Sequence, residues 1–221
     1  MSKRFSSEQL NALTTPERRA ALERTLAARL EGIVILEDIY DPHNAQAVFR
    51  SCDAYGIQRV CLVFDKQEPF NPRAIGKLTS ASANKWLTFQ TFADIASCYR
   101  ELRKEGYIIF ATALTNKAVS IFEADLSPPR AALAFGNEHA GLSHRAVEEA
   151  DKVVMIPMRG MVQSLNLSVT TATFLFEMTR QRITKGLEAY QLASEKQQEL
   201  LERFILQGTP LYDPEYDEDA S

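Results

Sequence analysis

Three stretches of this 221-residue chain gather hydrogen-bonding side chains where a core would not need them. The first is His43-Asn44, with Arg50 six positions after Asn44. The second, Gly136-Asn137-Glu138-His139-Ala140-Gly141-Leu142-Ser143, follows the apolar run Ala131–Phe135. Its two glycines let the backbone come close to a ligand, whereas a plain strand-to-helix turn needs only one. The third runs Ile156-Pro157-Met158-Arg159-Gly160-Met161-Val162-Gln163-Ser164-Leu165-Asn166-Leu167-Ser168, placing Ser164, Asn166 and Ser168 at the start of an otherwise apolar helix. As ordinary helix chemistry, Ser164 is the N-cap. That leaves Asn166 in the first turn unexplained, because Asn is a mediocre helix former. Taken singly, Asn44 reads as a cap and Arg50 as a surface arginine.

Several common chemistries are excluded. No GxGxxG dinucleotide fingerprint, GxxxxGK[ST] phosphate loop or GxSxG nucleophile elbow occurs. His43, His139 and His144 lack the spacing of a helical metal pair and read as polar loop residues, with a zinc site as the weaker reading. Cys52, Cys61 and Cys98 form no CxxC, and their odd number argues against a disulfide framework. The expected setting is a reducing cytoplasm.

The elements that must position these groups alternate in type. Short continuous apolar runs at Gly32–Leu36, Val60–Phe64, Tyr107–Leu114, Ala131–Phe135 and Val153–Pro157 read as strands, with Trp86–Phe92 as a further short one. Helices are read at 7–30, Ala45–Tyr55, Arg73–Thr79, Ala93–Glu105, from Ser143 to Ala150, Leu165–Ile183 and Glu188–Leu206, with Thr15-Pro16 as an N-cap and first helical residue. Unbroken apolar strands alternating with helices predict an α/β fold with a mostly parallel sheet covered on both faces. The loops at Asp41–Asn44, Thr112–Asn116, Gly136–Leu142 and Pro157–Ser164 then fall at strand C-terminal ends, where such folds place their sites.

Hydrophobic residues make up 45% of the chain and charged residues 24%, which suits a globular domain with extensions. No apolar run approaches the ~18–20 residues of a membrane span, and the N-terminus lacks the apolar segment of a secretory signal. The net charge of −4 hides an asymmetry. Residues 1–30 hold six bases against three acids, whereas 188–221 hold nine acids against two bases. The basic front end is read as an RNA-contacting arm carrying Arg18, Arg19, Arg24 and Arg29, against the plainer reading of a solvated helix. The end from Pro210 is read as acidic and mobile.

Together, in this order, the three stretches resemble the SpoU, or TrmH, family of RNA ribose 2′-O-methyltransferases, over about residues 32–183 and including the tail Glu177-(two)-Arg180-Gln181-Arg182. Within it, Gly160–Asn166 is most similar to the branch that methylates a guanosine of tRNA, usually position 18 of the D-loop. The alternatives are ribosomal RNA or another tRNA position, and a non-catalytic RNA-binding protein on the same fold. The resemblance implies a deep trefoil knot in a methyltransferase domain at 31–186, between a basic helical extension (1–30) and a C-terminal helix with an acidic tail (187–221). It also implies S-adenosylmethionine, a tRNA substrate and a homodimer, and no metal, since sulfonium chemistry needs none. The cofactor would be held by Thr112, Gly136, Asn137, Glu138, His139, Ala140, Ile156 and Leu165, the two aliphatic residues against the adenine. Arg50, Asn44, Glu138, Ser164 and Asn166 would be the catalytic set. Family proposals make the arginine a base; a guanidinium that stays protonated suits stabilisation of a developing alkoxide better. Glu138 is expected to orient its loop or Arg50, Ser164 and Asn166 to bond Arg50 or the ribose, and Asn44 to fix the preceding loop to the Arg50 helix.

Overall fold

The computed structural model describes residues 6–74, 83–207 and 209. The chain begins with α1 (Ser7–Ala12) and α2 (Pro16–Ala27), then β1 (Leu30–Glu37), α3 (Pro42–Ala54) and β2 (Ile57–Val63). After a helical turn, α4 (Ala83–Trp86), come β3 (Thr88–Phe92), α5 (Ile95–Lys104), β4 (Ile108–Thr112), the two-residue β5 (Val119–Ser120) and β6 (Ala131–Phe135). The last elements are α6 (His144–Glu148), β7 (Lys152–Met155), α7 (Leu167–Lys185), a 3-10 turn at Leu187–Tyr190 and α8 (Ser194–Leu206). The strands form one seven-stranded sheet in the order β3-β2-β1-β6-β4-β7-β5, parallel at every pairing.

The unbroken apolar strands are explained by cover on both faces. From β1, Val34 and Leu36 enter one core with Val48 and Phe49 of α3 and Phe174, Leu175 and Met178 of α7. Ile33 and Ile35 enter the other with Cys98 and Leu102 of α5 and Ala146 of α6. Each face is therefore dry, as period-2 alternation requires when both sides are buried. Gly32 sits where the β1–β2 register shifts, at φ +142°, and a Cβ there would lie 3.1 Å from Ile57 Cδ1. A third, smaller core joins Leu10 and Leu26 to Leu200, Leu201, Phe204 and Ile205 of α8, so the basic and acidic extensions pack on one another.

The boundaries differ from the sequence reading in places that have physical causes. The span 7–30 is two helices, because Thr15 accepts a hydrogen bond from Arg18 N at 3.2 Å and restarts the helix at Pro16. It ends early because Leu30 is already the first residue of β1. The span 188–206 divides into the 3-10 turn and α8. β5 is too short to leave a pattern. The helix read near Arg73–Thr79, from Ile75 onward, and the acidic end from Pro210 lie outside the described residues. Among the described residues no helix is long and apolar enough to cross a membrane.

The chain leaves β1 toward β2 and leaves β6 toward β7, on opposite sides of the β1–β6 seam. The crevice at the C-terminal ends of these two strands is thus a topological switch point, where open parallel sheets place ligands.

Candidate active site

Four loops meet at this edge. The β1–α3 loop is fixed first by Asp38, held at φ +51°, whose Oδ1 accepts from the backbone N–H groups of Asp65, Lys66 and Gln67 at 2.9, 2.8 and 3.1 Å. Asp41 caps α3, accepting from His43 N at 2.9 Å, with Pro42 as the first helical residue. Asn44 is therefore not the cap, and its side chain is free for the site.

The β6–α6 loop closes on itself. Asn137 and Gly141 exchange two backbone hydrogen bonds at 3.1 and 2.8 Å, and Asn137 Oδ1 accepts from His139 N and Ala140 N at 2.9 and 3.0 Å. Asn137 Nδ2 donates to Asp38 O at 2.7 Å, tying this loop to the first. A Cβ on Gly136 would lie 2.1 Å from Gly141 C and Leu142 N. The glycine is needed for the loop's own closure. Gly141, by contrast, has open space at its Cβ position and serves a positive φ of +70°.

Glu138 is the hub. Its carboxylate accepts from Tyr40 N at 2.9 Å, Asp41 N at 3.2 Å and Asn44 Nδ2 at 2.8 Å. Partial burial opposes ionisation, but the hydrogen bonds from Tyr40, Asn44 and Asp41 outweigh it and hold the pKa below the usual glutamate value. An ionised carboxylate only accepts, so the Asn44 amide must turn its NH₂ toward Glu138 and its oxygen outward. That oxygen accepts from Asn166 Nδ2 at 3.3 Å. Asn166 is itself the N-cap of α7, accepting from Ser168 N at 2.8 Å and Ser168 Oγ at 2.7 Å. The cap assigned to Ser164 from sequence belongs two residues later, and α7 starts at Leu167 because its cap is Asn166.

Asn44, Thr112, Gly136, Asn137, Glu138, His139, Ala140, Ile156, Ser164, Leu165 and Asn166 all line one cleft of about 880 Å³. Phe135, Val154, Ile156 and Leu165 give it an apolar wall, and the 136–142 backbone gives it a polar one. Such a two-sided pocket fits an adenosyl group, with hydrocarbon for a base and backbone polar groups for its edge. The Thr112 hydroxyl donates to Ala134 O at 2.9 Å. Ser164 is exposed on the cleft wall.

Arg50 is not in this cleft. It lies exposed on α3 in a groove between α3 and α7 with Ala47, Ser51, Ser168, Val169, Ala172 and Phe176. The expected bonds from Glu138, Ser164 or Asn166 to Arg50 are not formed: Glu138 holds its loop and Asn44, and Asn166 holds Asn44.

The four arginines assigned to an RNA arm divide. Arg24 is exposed; Arg18 is exposed but donates to Gln207 O at 3.0 Å; and Arg19 is half-buried, bonded to Glu23 and Asn11. Arg29 is only 2% exposed and pairs with Asp53 at 2.5 Å. It pins the α2–β1 junction to α3 and cannot reach a phosphate; its place beyond the end of α2 removes it from the arm's helical face. Two features went unread in sequence. One is buried Glu37, which accepts from Ser143 N at 2.8 Å and Ser143 Oγ at 2.7 Å. The other is Tyr40, whose ring meets that of His139 edge-on at 5.8 Å. An aromatic between a strand end and a helix cap was the available signal for the second. Among the described residues no three His, Cys, Asp or Glu side chains are grouped to hold a metal ion.

A model of the SpoU rRNA Methylase family matches residues 31–176, and the chain belongs to that family. A tRNA (guanosine(18)-2′-O)-methyltransferase of Thermus thermophilus is 38% identical over 174 residues, covering 78% of this chain and 87% of that protein. The crystal structure of the TrmH/SpoU tRNA modifying enzyme of A. aeolicus superimposes with a TM-score of 0.74 at 31% identity, over 87% of this chain and 97% of that one. An AdoMet-bound rRNA methyltransferase from Sinorhizobium meliloti superimposes with a TM-score of 0.62 at 28% identity, over 72% of this chain and 59% of that one.

Proposed function

We propose that this protein is a tRNA (guanosine-2′-O-)-methyltransferase that uses S-adenosylmethionine and acts at guanosine 18 of the D-loop. The observation that carries the reading is the line of bonds Asn166 to Asn44 to Glu138, which joins all three chemistry-bearing stretches at one cleft. The tRNA substrate is favoured over ribosomal RNA by extent. The tRNA relative and the A. aeolicus enzyme are matched over nearly their whole length, whereas the rRNA enzyme is matched over 59%.

S-adenosylmethionine supplies an activated methyl group when bound. The residues to hold it are Thr112, Gly136, Asn137, His139, Ala140, Ile156 and Leu165, around the apolar wall and the closed loop. The chain's own task is to orient the ribose and to make its hydroxyl a nucleophile. Glu138 and Asn166 fix the Asn44 amide, and Ser164 presents an unhindered hydroxyl to the ribose. Arg50 stabilises the developing alkoxide and a flanking phosphate; a guanidinium only donates hydrogen bonds, so the proton leaves to water or phosphate.

Arg50 and the cleft are reconciled by a homodimer. Val169, Phe176 and Ile183, spaced by seven residues on α7, are 49%, 56% and 60% exposed, while Leu167, Phe174, Leu175 and Met178 of the same helix are buried. A seam of that period suits a second helix, and it runs beside Arg50. Family membership further implies the trefoil knot; the insertion of β6 between β1 and β4, with the 156–166 loop lining the same cleft as 136–142, supports it. Three buried free cysteines support a cytoplasmic setting.

The test is methyl transfer from labelled S-adenosylmethionine to tRNA carrying guanosine or 2′-deoxyguanosine at position 18. Label should enter only the first. Equal labelling of both, or labelling of ribosomal RNA alone, refutes the assignment.

A further inference from the structure

We infer that Tyr40 and His139 form a stacking platform for the base of the nucleotide being methylated. The inference rests on the proposed ribose methylation and deepens it.

Tyr40 lies in the loop between β1 and α3, at the switch-point crevice, and is 64% exposed. An exposed tyrosine alone means little. Here the ring is presented rather than loose. Its own backbone N–H is held by Glu138 Oε2 at 2.9 Å, and the next N–H by Glu138 Oε1 at 3.2 Å. The following residue, Pro42, begins α3 with a fixed φ. His139 is equally set, because its N–H is bonded to Asn137 Oδ1 at 2.9 Å. The two rings stand 66° apart with centroids at 5.8 Å, which leaves a face of each unshared. His139 lines the cleft, and Tyr40 stands beside it at the rim.

The chemistry asks for such a surface. A ribose hydroxyl that must enter the cleft to meet a donor on its wall brings its nucleotide with it, and base faces that lose their neighbours on the way need new partners. Aromatic side chains supply them, with a ring plane matched to the base plane. The same carboxylate, Glu138, sets both the Asn44 amide that lies toward the ribose and the Tyr40 backbone. Base and sugar are thereby held in fixed relation by one residue.

The experiment uses the full-length protein and a tRNA with 2-aminopurine riboside at the target position. That base keeps its ribose hydroxyl, and its emission falls when it stacks. Stacked in free tRNA the base is already dark, and in the wild-type complex it should stay quenched, because the Tyr40 and His139 rings replace the neighbours it leaves. Tyr40→Ala should remove most of the quench and raise KM for tRNA about 5- to 100-fold, the range that loss of one stacked base implies. Affinity for S-adenosylmethionine, measured by calorimetry, should stay within twofold. Tyr40→Phe, which keeps the ring, should recover the lost KM and quench, and His139→Ala should give an intermediate loss. Unchanged KM and quench in Tyr40→Ala, or bright emission from the complex with a wild-type protein that methylates tRNA, overturns the platform. A wild-type protein that methylates no tRNA at this position instead overturns the functional reading.

Discussion

Asn44 and Asn166 touch side chain to side chain at 3.3 Å although 122 residues separate them in sequence. The contact can be made only because Asp41 caps α3 and Asn166 caps α7, which leaves one amide group of each free to face the other. Two helix starts are thus joined at the mouth of the cleft. Their coupling should be measurable. Asn44→Ala and Asn166→Ala should each lower kcat/KM about tenfold, the value of a hydrogen bond in a charge-anchored line. The double variant should lose less than the product, with a coupling of about 1 kcal/mol. Strict additivity would show that the two amides act separately.

Arg50→Ala should abolish turnover and leave cofactor affinity nearly intact, because Arg50 lies outside the cleft wall. Arg50→Lys should fail as well, since a point charge does not replace a planar fork. Single-turnover methylation together with calorimetry separates the two effects. Near-normal turnover by the lysine variant would refute the role.

Phe176→Asp tests the α7 seam. Its ring is 56% exposed in one chain, so the fold should survive, with an unchanged circular dichroism spectrum. Sedimentation should show a dimer for wild type and a monomer for the variant, and the monomer should be inactive. An active monomer at micromolar concentration would remove the argument that Arg50 serves its site through the dimer.

The basic arm now rests on Arg18, Arg19 and Arg24. Replacing Arg18 and Arg24 with alanine should flatten the salt dependence of tRNA binding by about one to two units of logarithmic slope. Arg29→Ala should instead lower stability, by roughly 2–4 kcal/mol for a broken, largely buried pair, without changing the slope. Filter binding at several salt concentrations and thermal melts distinguish the two classes.

Glu37 gives a pH signature. Burial raises its pKa, with a further push from Asp38, against the hydrogen bonds of Ser143 and the charge of Lys66. The folded pKa lies above the unfolded one, so its contribution is most favourable below the ordinary glutamate range and is lost as pH rises through the folded value. Glu37→Gln should therefore raise Tm at pH 7.5, and the gain should shrink as pH falls through the folded value and the ordinary glutamate range, below which the carboxyl is protonated in both states. A gain that is equal across that range would show that ionisation is not its cause.

Much of this architecture was legible. The strands declared themselves because both faces of the sheet are covered, so β1 reads as one apolar run from Ile33 to Leu36. The cleft was legible because its residues fall in loops after strands, and the eight residues assigned to a cofactor all line it. What escaped depends on partners far away in sequence. No local pattern says that Arg29 will meet Asp53, or that Asn166 rather than Ser164 will end in the capping position. The crowding that demands a glycine at 136 was not legible, because Gly141 meets it only through the closed loop. Arg50 was assigned to the cleft with its motif. A helix turns its residues by about 100° per step, so a side chain six positions from Asn44 faces another way.

The place of β6 between β1 and β4 has a consequence for how the chain is made. Ile33 of β1 pairs with Ala132, so the middle of the sheet waits for a strand translated about a hundred residues later. At the ordinary ~5–20 residues per second of synthesis, the inner edge of β1 stays open for roughly 5–20 seconds. An apolar parallel strand with a free edge is a template for the wrong partner. The nascent chain therefore depends on whatever shields that edge, and folding yield should respond to translation speed between residues 64 and 131 far more than to the intrinsic stability of the finished sheet.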